Sequence, residues 1–471
     1  MTGSGTAGAY HAGVLRSLQE AGVKIDLVAG RGIGVVSAMF SAVDGGPALW
    51  DNEGAWNSLF SRKFYDWRLT VKGAILALLV ALSSFLAPLI VIVTAAIVYP
   101  VGFVLRLAGL GVGDRLALSY TRLVEAVFRP DVLPLVIPRF ISIALLVFIG
   151  VLVAGELLPR IWRQHRRSQG AMLWRLFGAP ISVSRVKSHF TDRLWAVMRG
   201  SVKISKPDVH DLSERYAELL SNNVGQPGFR ELIVTVHDLD ARRDLVFGLL
   251  ASGDHDAFFG RRLDVEGNGR DVEAMDLSGP AQVHVVDVLS ASIRAPVVTE
   301  AHLTKFGTGT VCSDETHRLC DRPDAIGRLL EEVALAGAEQ VILVSAAPES
   351  KGPHSLTAER RDLRGRVGEF LLTLETSSLR DALAAWEPSF QAVFHVHPSH
   401  NPLGPFDFSG TYDEKSDRIF TLPDLMAIGR DDGFKQFVDP VLGASGEGIG
   451  AQVLTKPESP ADSLIIPRPD V

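Results

Sequence analysis

Three hydrophobic patterns run along this chain. In the first, short apolar runs bounded by polar or turn residues read as strands. Glu231–His237 (Glu-Leu-Ile-Val-Thr-Val-His) is one, with Asp244–Leu250 as its partner after a turn at Asp240–Arg243. Gln282–Leu289, Gln340–Ser345 and Gln391–His397 read the same way. The second pattern has helical period. Ala12–Ala21 is a short amphipathic helix closed by Gly22 as its C-cap. Ala325–Ala336 is another, leading through Gly337 into the strand at 340–345, the kind of crossover that builds parallel sheets. A long amphipathic helix follows across 359–386. Residues 27–38 (Leu-Val-Ala-Gly-Arg-Gly-Ile-Gly-Val-Val-Ser-Ala) join the two patterns as an apolar strand, a tight turn and an apolar helix start.

The third pattern lacks polar relief altogether. From Gly73 to Leu105 no residue is charged, and a bilayer core needs about 20 such residues for one helix. The run reads as one long tilted span, or as a span broken near Pro88 or Pro100. A second uncharged run, Phe140–Gly155, reaches Leu158 once Glu156 extends to the interface. Together, 73–105 and 140–158 predict a transmembrane helical hairpin. Arg62, Lys63, Arg68 and Lys72 precede it and Arg160, Arg163, Arg166 and Arg167 follow it, which favours cytoplasmic ends. Against that orientation, residues 106–139 also carry arginines. Trp50, Trp56, Tyr65, Trp67 and Trp162 flank the insert where an interfacial aromatic belt is expected, and a core position fits some of them equally well.

The predicted organisation is therefore an α/β domain split by a membrane insert. Residues 1–70 hold its first part, 71–160 the insert and 170–346 the remainder. A C-terminal α/β extension follows at 347–456, and a Pro- and Asp-rich tail at 457–471. The expected location is a cell membrane, multi-pass, with the α/β domain cytoplasmic.

Composition narrows the class further. The chain has 471 residues, 21% of them charged, with a net charge of −7. A nucleic-acid binder would show a basic excess, so that class is set aside. Cys312 and Cys320 are the two cysteines, too few for a disulfide framework. The start carries neither a basic n-region nor an apolar run, which speaks against a signal peptide.

Candidate chemistry lies in the first 34 residues. Gly3-Ser4-Gly5-Thr6-Ala7-Gly8 fits G-x-G-x-x-G, but no strand precedes it and Asp26 opens the next strand instead of ending it, so a dinucleotide site is disfavoured. Backbone amides at a helix start also suit the oxyanion of acyl transfer. Gly30-Arg31-Gly32-Ile33-Gly34 has the glycines of a G-x-S-x-G nucleophile elbow, with glycine where the serine would stand.

Loop, helix, strand and elbow together resemble the patatin-like phospholipase family. The loop Gly3–Gly8 and Gly13-Val14-Leu15-Arg16-Ser17-Leu18 match its first two elements, and Ala29–Gly34 matches the third apart from the serine. Thr235–Asp240, Ser290–Pro296 and Ala336–Ile342 are similar to later family segments. The resemblance implies a three-layer α/β fold with a mostly parallel sheet, and acyl-ester hydrolysis by a Ser-Asp dyad. It also implies a strand before the first glycine loop, and none is written before Met1.

Three departures fall on that chemistry. Gly32 replaces the nucleophile, Ala7 stands where the loop arginine is usual, and Ser4 replaces the middle glycine. The family's Asp-Gly motif is best matched by Phe306–Val311, which puts Thr308 at the aspartate position; Asp314 and Asp321 are nearby acids without a following glycine. The expectation is a membrane-anchored protein that binds lipid or acyl groups, or scaffolds a protein partner, without hydrolysis. The alternative is an acyl hydrolase with a non-standard nucleophile such as Ser4 or Ser37. No cofactor is called for. His395, His397, His400 and Asp407 form a weak metal-ligand pattern, read as structural, so no metal is predicted.

Overall fold

The structure is a computed structural model. It describes residues 1–128, 140–151, 178–251, 273–307, 312–348 and 362–443, together with 253, 255, 258, 259 and 310. The chain divides into two compact units, one of Met1–Asp66 with the chain from Ser182 onward, the other of Trp67–Ile181.

In the first unit, β1 (Leu27–Arg31), β2 (Glu231–Asp238), β3 (Arg243–Leu249), β4 (Ala274–Asp276), β5 (His302–Lys305) and β6 (Thr316–Cys320) form one mixed sheet. Strand β2 carries β3 antiparallel along one edge and β1 parallel along Glu231–Thr235 of the other. Beyond Thr235 that second edge is taken by β6, which pairs antiparallel at His237 and Asp238. The C-terminal ends of β1 and β6 therefore meet on one edge of the same strand. A further parallel pair, β7 (Gln340–Val344) and β8 (Ala392–Val396), lies beyond β1. Met1 and Thr2 link the two: Arg31 N donates to Met1 O at 3.2 Å and Thr2 N to Val344 O at 3.0 Å. The sheet expected to be mostly parallel is mixed: β1–β2 and β3–β4 pair in parallel, and β2–β3, β2–β6 and β5–β6 pair antiparallel.

Leu232 through Val236 of β2 are all buried, and alternate residues of a strand face opposite sides. Both faces of the sheet are therefore covered. On one face, Ile326, Leu329, Leu330 and Val333 form the apolar stripe of the helix Ile326–Leu335, meeting Leu343, Leu379 and Ile233. The remaining helices that position the site are α1 (Ala7–Glu20), α2 (Gly34–Ala42), α3 (Leu363–Trp386) and α4 (Leu422–Gly433). Helix α4 lies on α1 almost backbone to backbone. A Cβ on Gly13 would stand 2.0 Å from Met426 O, and one on Gly429 2.4 Å from Tyr10 O. The region after 346 thus belongs, where described, to the same unit as the glycine loop.

Two elements differ from expectation, and the place of three aromatic residues is decided. Gln282–Leu289 is helical, a 3-10 turn followed by Val285–Ser292. Its polar residues His284 and Asp287 bond to one another at three-residue spacing, which a strand would place on opposite faces. The first helix starts at Ala7, so Gly8 lies inside it. Trp50, Trp56 and Tyr65 are core residues and not an interfacial belt.

In the second unit the long apolar run breaks at Leu86 into Leu69–Phe85 and Ala87–Leu107. Pro88 sits at the start of the latter, where its missing N–H costs no helical bond. Val112–Phe128 is amphipathic and packs on it, with Tyr120 Oη 2.7 Å from Thr94 Oγ1. Among the described residues one helix, Leu89–Leu107, is long and apolar enough to cross a membrane; Phe140–Val151 is shorter. Residues 152–158 of the expected second span lie outside the described residues, as do Trp162, the basic run 160–167 and the tail 457–471.

Candidate functional site

Strand β1 ends at Arg31, and the chain turns at Gly32 (φ 56) before α2 begins at Gly34. Gly30 packs on Gly34 O, and Gly34 on Met1 O, so both glycines serve close backbone approach. The elbow is tied directly to the glycine loop, because Ile33 N donates to Gly3 O at 2.9 Å. That loop (Gly3, Ser4, Gly5) runs straight into α1, and Gly8 meets the Trp56 ring.

The elbow keeps its left-handed turn and has no room at its tip. A Cβ at position 32 would lie 2.3 Å from Gly3 O and 2.9 Å from Asp321 Oδ2. Asp321 immediately follows β6, so the shared edge of β2 delivers it to this place. Thr308, the expected aspartate position, lies outside the described residues. Phe306, at the head of that motif, is a core residue between the rings of His284 and His317. The acid at the elbow is Asp321.

Arg31 organises the site. It is 1% exposed, and its Nη1 donates to Asp321 Oδ1 at 3.0 Å. Its Nη2 stands 3.1 Å from Glu375 Oε2 on α3, and its Nε donates to Thr2 Oγ1 at 2.8 Å. Ser4 Oγ donates to Asp321 Oδ2 at 3.2 Å. Burial pushes the carboxyls of Asp321 and Glu375 above their usual range, with Arg31 pulling the other way. For Arg31, burial acts downward and the two acids more than offset it, so its pKa is raised. Such a pair is held by mutual compensation, and removal of one partner leaves a buried charge exposed to the full desolvation penalty.

A roof closes the other side. A Cβ at Gly5 would lie 1.8 Å from Pro405 O, and Thr6 N donates to that same carbonyl at 3.0 Å. Phe408 stacks on Tyr65 with centroids 5.2 Å apart, and Phe406 lies 5.3 Å from Tyr65. Beneath the loop, His11 is fully buried and donates through Nε2 to Thr2 O at 2.9 Å. Burial drives its pKa down to about 3, so the ring is neutral.

The histidine pattern is not drawn into one site. His395 and His397 bring their rings to 4.5 Å. His400 turns to Asp413 at 3.0 Å, and Asp407 accepts from Gly404 N at 2.8 Å to shape the roof loop. Among the described residues no group of three or more His, Cys, Asp or Glu side chains is placed to hold a metal ion.

Arg31 as hub and Glu375 as its second acid escaped the sequence reading. The available signal was an arginine in an otherwise apolar strand, which has to find acids if it is buried. Comparison with protein-family models and with curated proteins finds no match for this chain.

Proposed function

We propose that this chain is a membrane-anchored α/β protein of patatin-like architecture that acts without ester hydrolysis, as a lipid-contacting scaffold. The observation that carries this reading is the elbow tip. Gly32 supplies no nucleophile, and the acid beside it is clamped to Arg31 and fills the space a side chain would need. The roof over Gly5 occupies the loop that would cradle an oxyanion. Such a site is built for packing, so the proposed lipid contacts run through the apolar insert and the unit's surface. Leu89–Leu107 supports anchoring by its length and composition, and a hairpin with the run from Phe140 remains part of the proposal.

The test is turnover of short and medium acyl esters by the purified full chain in detergent. We expect no rate above buffer. Turnover that is lost on Asp321→Asn would overturn the reading.

One observation favours a second reading, an acyl hydrolase with a replaced nucleophile. Ser4 Oγ is hydrogen-bonded to Asp321, which would take the proton as the hydroxyl attacked a carbonyl. A fluorophosphonate probe that labels the chain, and fails to label Ser4→Ala, would establish it in place of the first.

A further inference from the structure

The turn between Trp56 and Phe64 is anchored at both ends and leaves two large apolar side chains exposed. Its ends are buried: Trp56 packs on Phe190 with centroids 5.4 Å apart, and Phe64 on Phe408 at 5.6 Å. Its interior is hydrogen-bonded, with Ser61 N donating to Ser58 O at 3.0 Å and Phe64 N to Ser61 O at 3.0 Å. Asn57 Nδ2 ties the turn to Trp50 O at 2.9 Å. On this scaffold Leu59 is 75% and Phe60 74% exposed. Beyond the buried Ser61 come Arg62 and Lys63, both exposed, with no ion pair among the described residues. Asp51 and Glu53 are the exposed acids of the preceding turn.

A folded turn holding Leu and Phe in solvent beside two cations fits one environment well. Apolar tips enter the boundary of a bilayer while cations meet anionic headgroups. The turn also stands in sequence just before the apolar segment that begins at Leu69.

We propose that Leu59 and Phe60 insert into an anionic bilayer surface, with Arg62 and Lys63 on its headgroups. This rests on the membrane-anchored reading above. It gives the α/β unit a contact with lipid that is independent of the closed elbow.

The test uses the full chain reconstituted in vesicles of phosphatidylcholine with phosphatidylglycerol. An environment-sensitive fluorophore is placed on Phe60→Cys, and separately on Ile97→Cys in the apolar helix and on Glu218→Cys at an exposed polar site. Cys312 and Cys320 are buried, and the unsubstituted chain serves as the labelling blank. Expected are a blue shift and quenching by spin-labelled lipid at 60 and 97, and neither at 218.

A lipid-quenched label at 97 with a water-like label at 60 overturns this inference alone. Water-like labels at both overturn the membrane reading with it. A label at 60 that is blue-shifted but insensitive to lipid quencher marks a protein contact, and also overturns the inference. Arg62→Gln with Lys63→Gln is expected to weaken quenching at 60 in the anionic vesicles. Unchanged quenching would overturn the headgroup contact.

Discussion

Asp321 Oδ2 stands 2.9 Å from where a Cβ on Gly32 would be, so the acid and the elbow tip exclude any side chain between them. The second obstacle, Gly3 O at 2.3 Å, is backbone and cannot swing aside. Gly32→Ala is therefore expected to destabilise the fold by about 1–3 kcal/mol, from the left-handed turn and the clash together. Thermal unfolding in detergent measures it. A variant as stable as the parent would mean that the tip is open.

Arg31 compensates two buried acids, and its loss should be among the costliest single changes in the chain. Arg31→Met is expected to cost about 3–5 kcal/mol. Adding Asp321→Asn and Glu375→Gln should recover part of that, because the orphaned charges go with them. A triple variant less stable than Arg31→Met would contradict the compensation.

His11 carries a pH dependence with a definite sign. Its folded-state pKa, about 3, lies below the ordinary 6.5, so the unfolded chain binds the proton first. Its contribution is fully present above about 6.5 and is lost as pH falls from there towards 3. Within that window the parent should lose stability relative to His11→Gln by about 1.4 kcal/mol per pH unit. Denaturation curves of the two proteins between neutral pH and pH 4 check this. Parallel profiles would show that the buried ring is not the titrating group.

Contact between α1 and α4 depends on the absence of two Cβ atoms. Gly429→Ala, which would put a methyl 2.4 Å from Tyr10 O, should cost about 1–3 kcal/mol through forced separation of the helices. Because α1 starts at the glycine loop, the amide exchange of residues 3–8 should quicken as well. Unchanged exchange would mean that α4 does not brace the loop.

Much of the framework was legible in the pattern of residues. Strands at Glu231–Asp238, Arg243–Leu249, Gln340–Val344 and Ala392–Val396, and the helix Ile326–Leu335, follow from apolar runs that one period explains. Gln282–Leu289 misled because a short apolar run carries no length to separate strand from helix. Trp56 and Tyr65 were open between belt and core for another reason. An aromatic ring near a membrane segment has the same composition whether it faces lipid or core, and packing against Phe190 and Phe408 decided for the core.

By itself the sequence determined that position 32 has no nucleophile, that the turn around it is glycine-built, and that one stretch is apolar enough for a bilayer. Those are properties of residues and their near neighbours along the chain. Only the tertiary structure decided that Asp321 is the acid at the elbow and that Arg31 clamps it to Glu375. It likewise brought Pro405 over Gly5. These partners lie hundreds of residues apart and share no motif; they meet because β1 and β6 end on the same edge of β2, and because α3 and α4 pack back over the first turns of the chain.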